Sequence, residues 1–193
     1  MGVADGADGE RAQGVSGTGK STLGEALAGA LHLLFIDGDD LHPAENVAKM
    51  SHGEPLDDGD RQPWLESIRR TAVERVMAQV GEQRQALGRL GGDETGWRPG
   101  VVVACSALKK TYRAVLRGTE DGASLLTYFV YLKGERDVLM ARMQSRQGHF
   151  MKAGMLESQL DTLESPEDEP GVVSVSVDLS TEEQVRKVIQ SLS

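Results

Sequence analysis

The amino-acid sequence predicts an α/β fold with a mostly parallel sheet. Helical and strand patterns alternate from residue 14 to residue 193, which is typical of strands joined by crossover helices. Val101–Ala104 is a continuous apolar run of the kind found in parallel strands that are buried on both faces. A glycine-rich stretch, residues 14–22, immediately precedes the first helical pattern. Together these observations predict a nucleotide-type α/β domain.

Residues 14–22 read GVSGTGKST and satisfy the phosphate-binding pattern G-x-x-x-x-G-K-[ST]. Its glycines let backbone N–H groups surround phosphate oxygens, while Lys20 places a positive charge beside the β- and γ-phosphates. The Ser21 hydroxyl is placed to ligate Mg²⁺. Because an amphipathic helix follows at residues 21–31, we favour this P-loop over a flexible Gly/Ser loop. The predicted nucleotide-binding residues are Gly14, Val15, Ser16, Gly17, Thr18, Gly19, Lys20, Ser21 and Thr22.

The segment before the P-loop lacks the strand that normally leads into it. Residues 1–13 read MGVADGADGERAQ, with three glycines and three acidic residues, and this composition predicts a disordered or abnormal tail. The first, central strand is therefore degenerate or missing. Its four or five apolar side chains would contribute about 6–15 kcal/mol, comparable with the net stability of a domain. Either residues 9–13 fill the position of this strand poorly, or the chain is a splice form or has a misassigned start. We hypothesise the latter: the encoding gene contains an apolar segment that this chain lacks, and a transcript reading continuously through ERAQGVSG would refute this.

The remaining elements follow from their patterns, and residues 14–193 are predicted to form one domain. Short apolar runs predict strands at residues 33–36, 101–104, 125–132 and 172–177. Apolar residues spaced by three or four predict helices at residues 21–31, 43–51, 60–85, 107–117, 135–147 and 181–192. Glycine, proline or acidic residues predict loops at 86–100 and 165–171.

Composition narrows the class of function. The net charge of -9 argues against a nucleic-acid partner, so an anionic substrate needs a local basic pocket. No apolar run reaches membrane-spanning length, which argues against a membrane partner. Cys105 is the only cysteine and suits a reducing compartment, so we expect the cytoplasm.

Acidic side chains follow the strand after the first helix. Asp37, Asp39 and His42 come at its carboxyl end, where ligands bind in open parallel sheets. Carboxylates there can orient Mg²⁺ or accept a proton from a substrate hydroxyl during phosphoryl transfer. The alternative is a solvated acidic turn. For His42, a substrate-orienting or capping hydrogen bond is favoured over a metal or base role, because no ligand-spaced cluster surrounds it.

Basic side chains form further groups at strand ends. Arg61 lies early in a helix, and Lys109 and Arg113 follow the Val101–Ala104 strand. Arg142 and Arg146 share one helix face, and His149 follows in a flap that can close over phosphates. The alternative role for any single arginine is a surface ion pair. The presence of several cationic groups at strand ends in an acidic protein makes this alternative less favoured.

In order, the segments GVSGTGKST, DGDDLHPAENVAKMSHGEPLDDGDRQPW, ACSALKKTYR, YLKG and RQGHFMKAGMLESQLDTLE resemble the small P-loop gluconokinases, from residue 14 to about residue 166. The resemblance implies a P-loop kinase with a three-layer α/β/α fold, a lid around residues 142–156 and, in many members, a homodimer. It also implies transfer of a phosphoryl group from MgATP to the 6-hydroxyl of D-gluconate.

Carried onto this chain, the resemblance gives each candidate a role. Lys20, Asp39, Arg142 and Arg146 would be catalytic, with Asp39 holding or deprotonating the acceptor hydroxyl. Ser21 and Asp37 would serve Mg²⁺. Gluconate would be bound by Asp39, His42, Arg61, Lys109, Arg113 and His149. Two alternatives stay open: a kinase of another small hydroxy-acid such as shikimate, and a catalytically impaired isoform or nucleotide-binding pseudoenzyme, which the abnormal first strand motivates.

Overall fold

A computed structural model describes residues 2–4, 11–13, 18–90, 99–118, 125–145, 158–159 and 161–192. The strands are β1 (Gly2–Ala4), β2 (Arg11–Gln13), β3 (Leu34–Asp37), β4 (Val101–Ala104), β5 (Phe129–Glu135) and β6 (Val172–Ser176). The helices are α1 (Lys20–Leu31), α2 (Ala44–Ser51), α3 (Asp58–Leu90), α4 (Lys110–Arg117), α5 (Arg136–Ser145) and α6 (Thr181–Leu192), with a 3₁₀ turn at Gly38–Leu41.

The sheet is parallel except for β2. Its order runs β3, β4, β1, β5 and β6, and β2 pairs antiparallel with the end of β5. At Lys133 of β5, Ser176 of β6 occupies one edge and Gln13 of β2 the other. β1 and β2 therefore share the same edge of β5, one after the other.

Helices cover both faces of the sheet and give two cores. One core joins α3 and α4 to the sheet around Trp64, Tyr112 and Phe129. The other joins α1 and α6 to the opposite face around Leu27 and Val188. This arrangement confirms the predicted three-layer α/β/α architecture with a mostly parallel sheet. No helix in the described ranges is both long and apolar enough to cross a bilayer.

The central position of the sheet is occupied by a three-residue strand. β1 lies between β4 and β5, with Gly2 beside Val103 and Phe129 and Val3 beside Ala104 and Val130. Three residues are fewer than the five or six of an ordinary strand, so the predicted degenerate strand is confirmed. The prediction of a disordered tail is corrected for Gly2–Ala4 and Arg11–Gln13, because backbone pairing to buried strands needs no long apolar run. Residues 1 and 5–10 lie outside the described residues.

Three predicted boundaries are also corrected. α3 continues to Leu90, because ALGRL consists largely of good helix formers, and this shortens the predicted loop at 86–100. α4 begins at Lys110 rather than at residue 107, because the carbonyl oxygens of Ala107 and Leu108 accept hydrogen bonds from the Arg113 side chain. β5 begins at Phe129 rather than at residue 125, and Leu126 is exposed.

Candidate active site

The carboxyl end of β3 meets the first turn of α1. Ser21 lies in that first turn, and its hydroxyl donates a hydrogen bond of 2.8 Å to Oδ2 of Asp37, the last residue of β3. β3 is the edge strand beside β4, so the helix that follows the P-loop packs close to its end. The structure thus brings together the two predicted Mg²⁺ ligands.

These two oxygen donors suit Mg²⁺. This ion prefers oxygen ligands and usually keeps several waters, so one or two protein ligands beside substrate phosphates suffice. No group of three or more His, Cys, Asp or Glu side chains arranged for a metal occurs among the residues described. As two oxygen donors, Ser21 and Asp37 fit a magnesium ion that is shared with a nucleotide.

The turn after β3 positions Asp39. Oδ1 of Asp37 accepts a hydrogen bond of 3.0 Å from the backbone N–H of Asp39, which fixes the start of the 3₁₀ turn. Gly38 between them is tightly packed: an added Cβ would lie 2.7 Å from the backbone oxygen of Ala104 and 3.1 Å from Cδ1 of Ile68. A side chain cannot be accommodated there without moving the turn that carries Asp39.

The carboxyl group of Asp39 has a perturbed pKa. Desolvation in the crevice raises its pKa above the usual aspartate value, and the neighbouring Asp37 and Asp40 act in the same direction. The positive charge of Lys20 acts in the opposite direction and lowers the pKa of Asp39. A carboxylate with a raised pKa beside a P-loop lysine is a suitable proton acceptor for an attacking hydroxyl.

The P-loop is described in part. Lys20, Ser21 and Thr22 lie in the first turn of α1, and Thr18 is buried just before it. Gly19 adopts the left-handed conformation, with φ of 96°, which favours glycine over any side chain. Gly14, Val15, Ser16 and Gly17 lie outside the described residues, so their predicted role stays a prediction.

A pocket of about 300 Å³ opens beside Asp39. Its polar lining comes from the turn after β3, from α3, from the residue after Cys105 and from the segment before residue 160. The lining consists of Asp39, His42, Val47, Met50, Pro55, Leu56, Arg61, Trp64, Ser106 and Gln159. The pocket therefore combines a carboxylate, an imidazole, a guanidinium, a hydroxyl and an amide, which suits a small polyhydroxylated anion.

His42 is held in a fixed orientation. Its ring stacks on the Trp64 indole at 4.3 Å between centroids and 8° between planes, and Trp64 Nε1 donates to the Gly38 oxygen at 2.7 Å. Asn46 Nδ2 lies 3.4 Å from His42 Nδ1, and it also donates to the Asp60 oxygen at 2.8 Å. Asn46 is thus oriented as a donor, so His42 Nδ1 accepts and its Nε2 carries the proton.

The His42 imidazole is neutral at physiological pH. Burial lowers its pKa to about 4, and the positive charge of Arg61 acts in the same direction. A neutral imidazole whose Nε2 carries the proton can donate a hydrogen bond to a substrate oxygen without adding a charge. A pKa near 4 makes His42 a weak base, which favours the orienting role over a base role.

Arg61 supplies the positive charge of the pocket. The residue is buried, and its Nε donates to the Leu56 oxygen at 3.4 Å. Its guanidinium lies 5.9 Å from the centroid of the Tyr112 ring. Burial lowers the pKa of Arg61, whereas the nearby Tyr112 and Asp58 oppose this. Arginine remains charged even so, and a partly desolvated guanidinium is a strong partner for a carboxylate.

Lys109 lies outside the lining of the pocket. Its Nζ forms an ion pair with Asp58, at 2.7 and 2.8 Å from the two carboxylate oxygens, and lies 5.6 Å from the Tyr112 ring centroid. Hydrogen bonds from Lys109 and Tyr112 lower the pKa of Asp58. The predicted contact of Lys109 with substrate requires it to leave Asp58, so it stays a prediction.

Arg113 corrects the sequence prediction, because it belongs to the core rather than to the pocket. Its side chain is 0% exposed. Its N–H groups donate to the Ala107 and Leu108 oxygens at 2.8 and 3.0 Å, to the Glu164 oxygen at 3.1 Å and twice to Oε1 of Glu169. All five donors are used, so none is left for a substrate. The residue instead ties the acidic segment before β6 to α4.

The remaining predicted residues are described only in part. Arg142 lies in α5, but its side chain is outside the described residues. Arg146 and His149, with most of the predicted lid at 142–156, also lie outside them. Their roles stay predictions.

Comparison with known proteins identifies the family. A family model for shikimate kinase matches residues 16–81. The thermoresistant gluconokinase of Escherichia coli K12 is 40% identical over 178 residues, which cover 92% of this chain and 89% of that protein. This chain belongs to the gluconokinase family. A probable gluconokinase of Mus musculus is also 40% identical, over 93% of this chain and 94% of that protein.

Solved structures agree with this assignment. A gluconokinase from Sinorhizobium meliloti 1021 matches with a TM-score of 0.70 and 40% identity, covering 99% of this chain and 89% of that one. A sugar kinase from Janibacter sp. HTCC2649 matches with a TM-score of 0.72 and 33% identity, covering 99% and 92%. The shikimate kinase match begins within the P-loop at residue 16 and runs through α1, β3 and α2 into α3, where it ends at residue 81.

Sequence reasoning missed several residues of the site. Asn46 and Trp64 orient His42, while Ser106 and Gln159 complete the lining. All four lie in the segments quoted for the family resemblance, although the sequence assigns no role to them. Trp64 also lies three residues after Arg61 on the same face of α3.

Proposed function

We propose that this chain transfers the γ-phosphoryl group of ATP to the 6-hydroxyl of D-gluconate. The observation that carries the proposal is the pocket that Asp39 and the buried Arg61 line together, at the same end of β3 where Ser21 and Asp37 meet. The names of the relatives, gluconokinases that cover most of this chain, support gluconate as the acceptor.

The reaction needs one proton acceptor and one stabilising charge. Asp39 accepts the proton of the 6-hydroxyl as the oxygen attacks the γ-phosphorus, and the bond between that phosphorus and the β–γ bridging oxygen breaks. Lys20 stabilises the negative charge on the transferred group. ADP leaves, and 6-phosphogluconate carries the new ester. The short link through Gly38 keeps Asp39 beside the end of β3.

Ser21 and Asp37 would hold Mg²⁺ between them. When bound, this ion neutralises charge on the β- and γ-phosphate oxygens. Their mutual hydrogen bond of 2.8 Å keeps both oxygen donors on one side of the P-loop helix.

Two side chains that differ in charge, the cationic Arg61 and the neutral His42, would recognise gluconate. Arg61 provides a buried positive charge that pairs with the carboxylate of the sugar acid, and this pairing gains from the low local dielectric. His42 donates from Nε2 to a hydroxyl oxygen. Shikimate also carries a carboxylate and hydroxyls, so charge alone does not separate the two acids; the names of the relatives favour gluconate.

The family resemblance adds roles for the lid residues, a cellular location and an oligomeric state to this proposal. Arg142 and Arg146 would close over the phosphates, and His149 would contact gluconate from the lid. We also propose a cytoplasmic location, supported by the single buried cysteine, and a homodimer. Gluconate is the small-molecule partner, and neither nucleic acid nor a membrane has a role in the proposal.

ADP release from MgATP tests the function. The assay compares D-gluconate, shikimate and no acceptor, for the wild-type chain and for Lys20→Ala. Arg84→Ala, which removes an exposed cation on α3, is the matched control. We expect gluconate-dependent release in the wild type and the control, and its loss in Lys20→Ala. Release with shikimate instead, or equal release without acceptor, would overturn the acceptor assignment. A folded chain with no turnover would favour the pseudoenzyme.

A further inference from the structure

A chain of hydrogen bonds leads from the start of α3 to the imidazole of His42. Asp57 and Asp60 cap this helix reciprocally, because the Asp57 N–H donates to Oδ2 of Asp60 and the Asp60 N–H donates to Oδ1 of Asp57, both at 2.9 Å. Lys49 of α2 also donates to Oδ2 of Asp60. These contacts hold in place the backbone oxygen of Asp60, which accepts from the Asn46 amide at 2.8 Å.

The contact with Asp60 fixes the direction of the Asn46 amide. Asn46 is only 4% exposed, and a backbone oxygen only accepts hydrogen bonds, so it is Nδ2 of Asn46 that lies toward Asp60. The same Nδ2 lies 3.4 Å from Nδ1 of His42. Because an amide nitrogen only donates, Nδ1 is the unprotonated nitrogen of the neutral ring, and the proton lies on Nε2.

The second ring nitrogen of His42 is the one that a ligand can reach. His42 lines the pocket beside Asp39, whereas Asn46 does not. Within the described ranges, Nε2 has no hydrogen-bond partner, and the protein does not enclose this atom completely. The Trp64 indole, 8° from parallel to the imidazole, fixes the plane of the ring. The charged side chains that share the pocket with His42 are Asp39 and Arg61.

We propose that Asn46 is a positioning residue for acceptor recognition: it keeps the His42 proton on Nε2, so that the pocket presents a hydrogen-bond donor at this point. The inference rests on the proposed function for the identity of the acceptor, since the donor would serve an oxygen atom of gluconate. The position of the proton does not depend on that function. An aspartate at position 46 would accept from Nδ1–H instead, and the proton would leave Nε2.

Nuclear magnetic resonance measures the position of the proton without any substrate. The full chain is labelled with ¹⁵N-histidine, and the imidazole ¹⁵N shifts at about pH 8 separate protonated from unprotonated ring nitrogens. His42→Gln assigns the His42 signals among the four histidines. We expect the proton on Nε2 in the wild type and on Nδ1 in Asn46→Asp. Asn46→Leu is the matched control: it removes the same hydrogen bonds but offers no acceptor to Nδ1, so the proton should stay on Nε2.

The affinity for gluconate in an equilibrium titration tests the consequence. Asn46→Asp should weaken gluconate binding at least about fivefold, whereas Asn46→Leu should stay within about threefold of the wild type. The comparison is repeated in the His42→Gln background, where the glutamine amide donates whichever residue stands at position 46. There, Asn46→Asp should change the affinity less than about twofold, because the effect acts through the His42 proton.

Three results would overturn the proposal. They are a proton on Nδ1 in the wild type, a proton that remains on Nε2 in Asn46→Asp, and an equal loss of affinity from Asn46→Asp with and without the His42 imidazole. The first is read from the wild type, so the test stays decisive if a variant fails to fold. If the proton positions are as expected but the wild type does not bind gluconate, the proposed function fails while the control of the His42 proton by Asn46 is upheld.

Discussion

Removing the Arg113 guanidinium separates a structural role from a role in substrate binding. Arg113→Met keeps most of the aliphatic volume of the side chain but removes five N–H donors. Glu169, with only 9% of its side chain exposed, then loses its partner at 2.7 Å, and the Ala107, Leu108 and Glu164 oxygens lose a donor each. Arg117 still pairs with Glu169 at 2.9 Å. Breaking a buried ion pair lowers the free energy of unfolding by about 3–5 kcal/mol. Because Glu169 keeps its contact with Arg117, we expect a loss of about 3 kcal/mol in this variant.

Thermal unfolding measures this loss directly. For a chain of this size, 1 kcal/mol corresponds to about 2–4 °C, so we expect Tm to fall by about 6–12 °C. KM for gluconate in the folded protein should stay within about twofold of wild type, because Arg113 is outside the pocket. An unchanged Tm together with a large rise in KM would refute the assignment of Arg113 to the core and restore the prediction from sequence.

Three further predictions concern the pocket and its support. Arg61→Ala should raise KM for gluconate about 10- to 150-fold, the range expected for a lost charged hydrogen bond, with KM for ATP unchanged; steady-state kinetics in both substrates measure it, and an unaltered gluconate KM would count against the carboxylate contact. Gly38→Ala should cost about 1–3 kcal/mol, because its Cβ would lie 2.7 Å from a backbone oxygen, and should lower kcat by displacing Asp39; chemical denaturation alongside kinetics would expose the error if both stay at wild-type values. His42 has a pKa lowered to about 4 in the folded state, so its contribution to stability is complete above pH 6.5 and is lost as pH falls from about 6.5 to 4; His42→Gln should flatten this part of the stability–pH profile, and identical profiles would contradict the burial of a neutral imidazole.

The sequence predicts the fold well where apolar patterns are long. The helices from α1 to α6 and the strands β3, β4 and β6 follow runs whose period is clear. The position of the degenerate central strand at Gly2–Ala4 could not be predicted, because Gly-Val-Ala is too short to show a period; its pairing with β4 and β5 is a tertiary contact. The end of α3 at Leu90 also differs from the prediction, because the glycines that follow ALGRL obscure how far the helical pattern extends.

The sequence predicts a site residue well when its role follows from its position at the end of a strand or the start of a helix. Ser21 and Asp37 lie at the start of a helix and the end of a strand, and parallel topology brings such positions together. Arg113 shows where this reasoning fails. Its position after a strand suggested a substrate contact, but its environment depends on Glu164 and Glu169, more than fifty residues later in the chain. Burial of a long-range ion pair leaves no local pattern in the sequence.

The turnover number for D-gluconate in the wild type and in Asp39→Asn tests the central claim most directly. Asparagine keeps the size of the side chain but cannot accept the proton of the 6-hydroxyl. We expect gluconate-dependent turnover in the wild type and a fall in kcat of about 10²–10⁴-fold in the variant, with gluconate and nucleotide still bound in an equilibrium titration. A kcat near that of the wild type in Asp39→Asn would contradict the assignment of this pocket as the site of phosphoryl transfer.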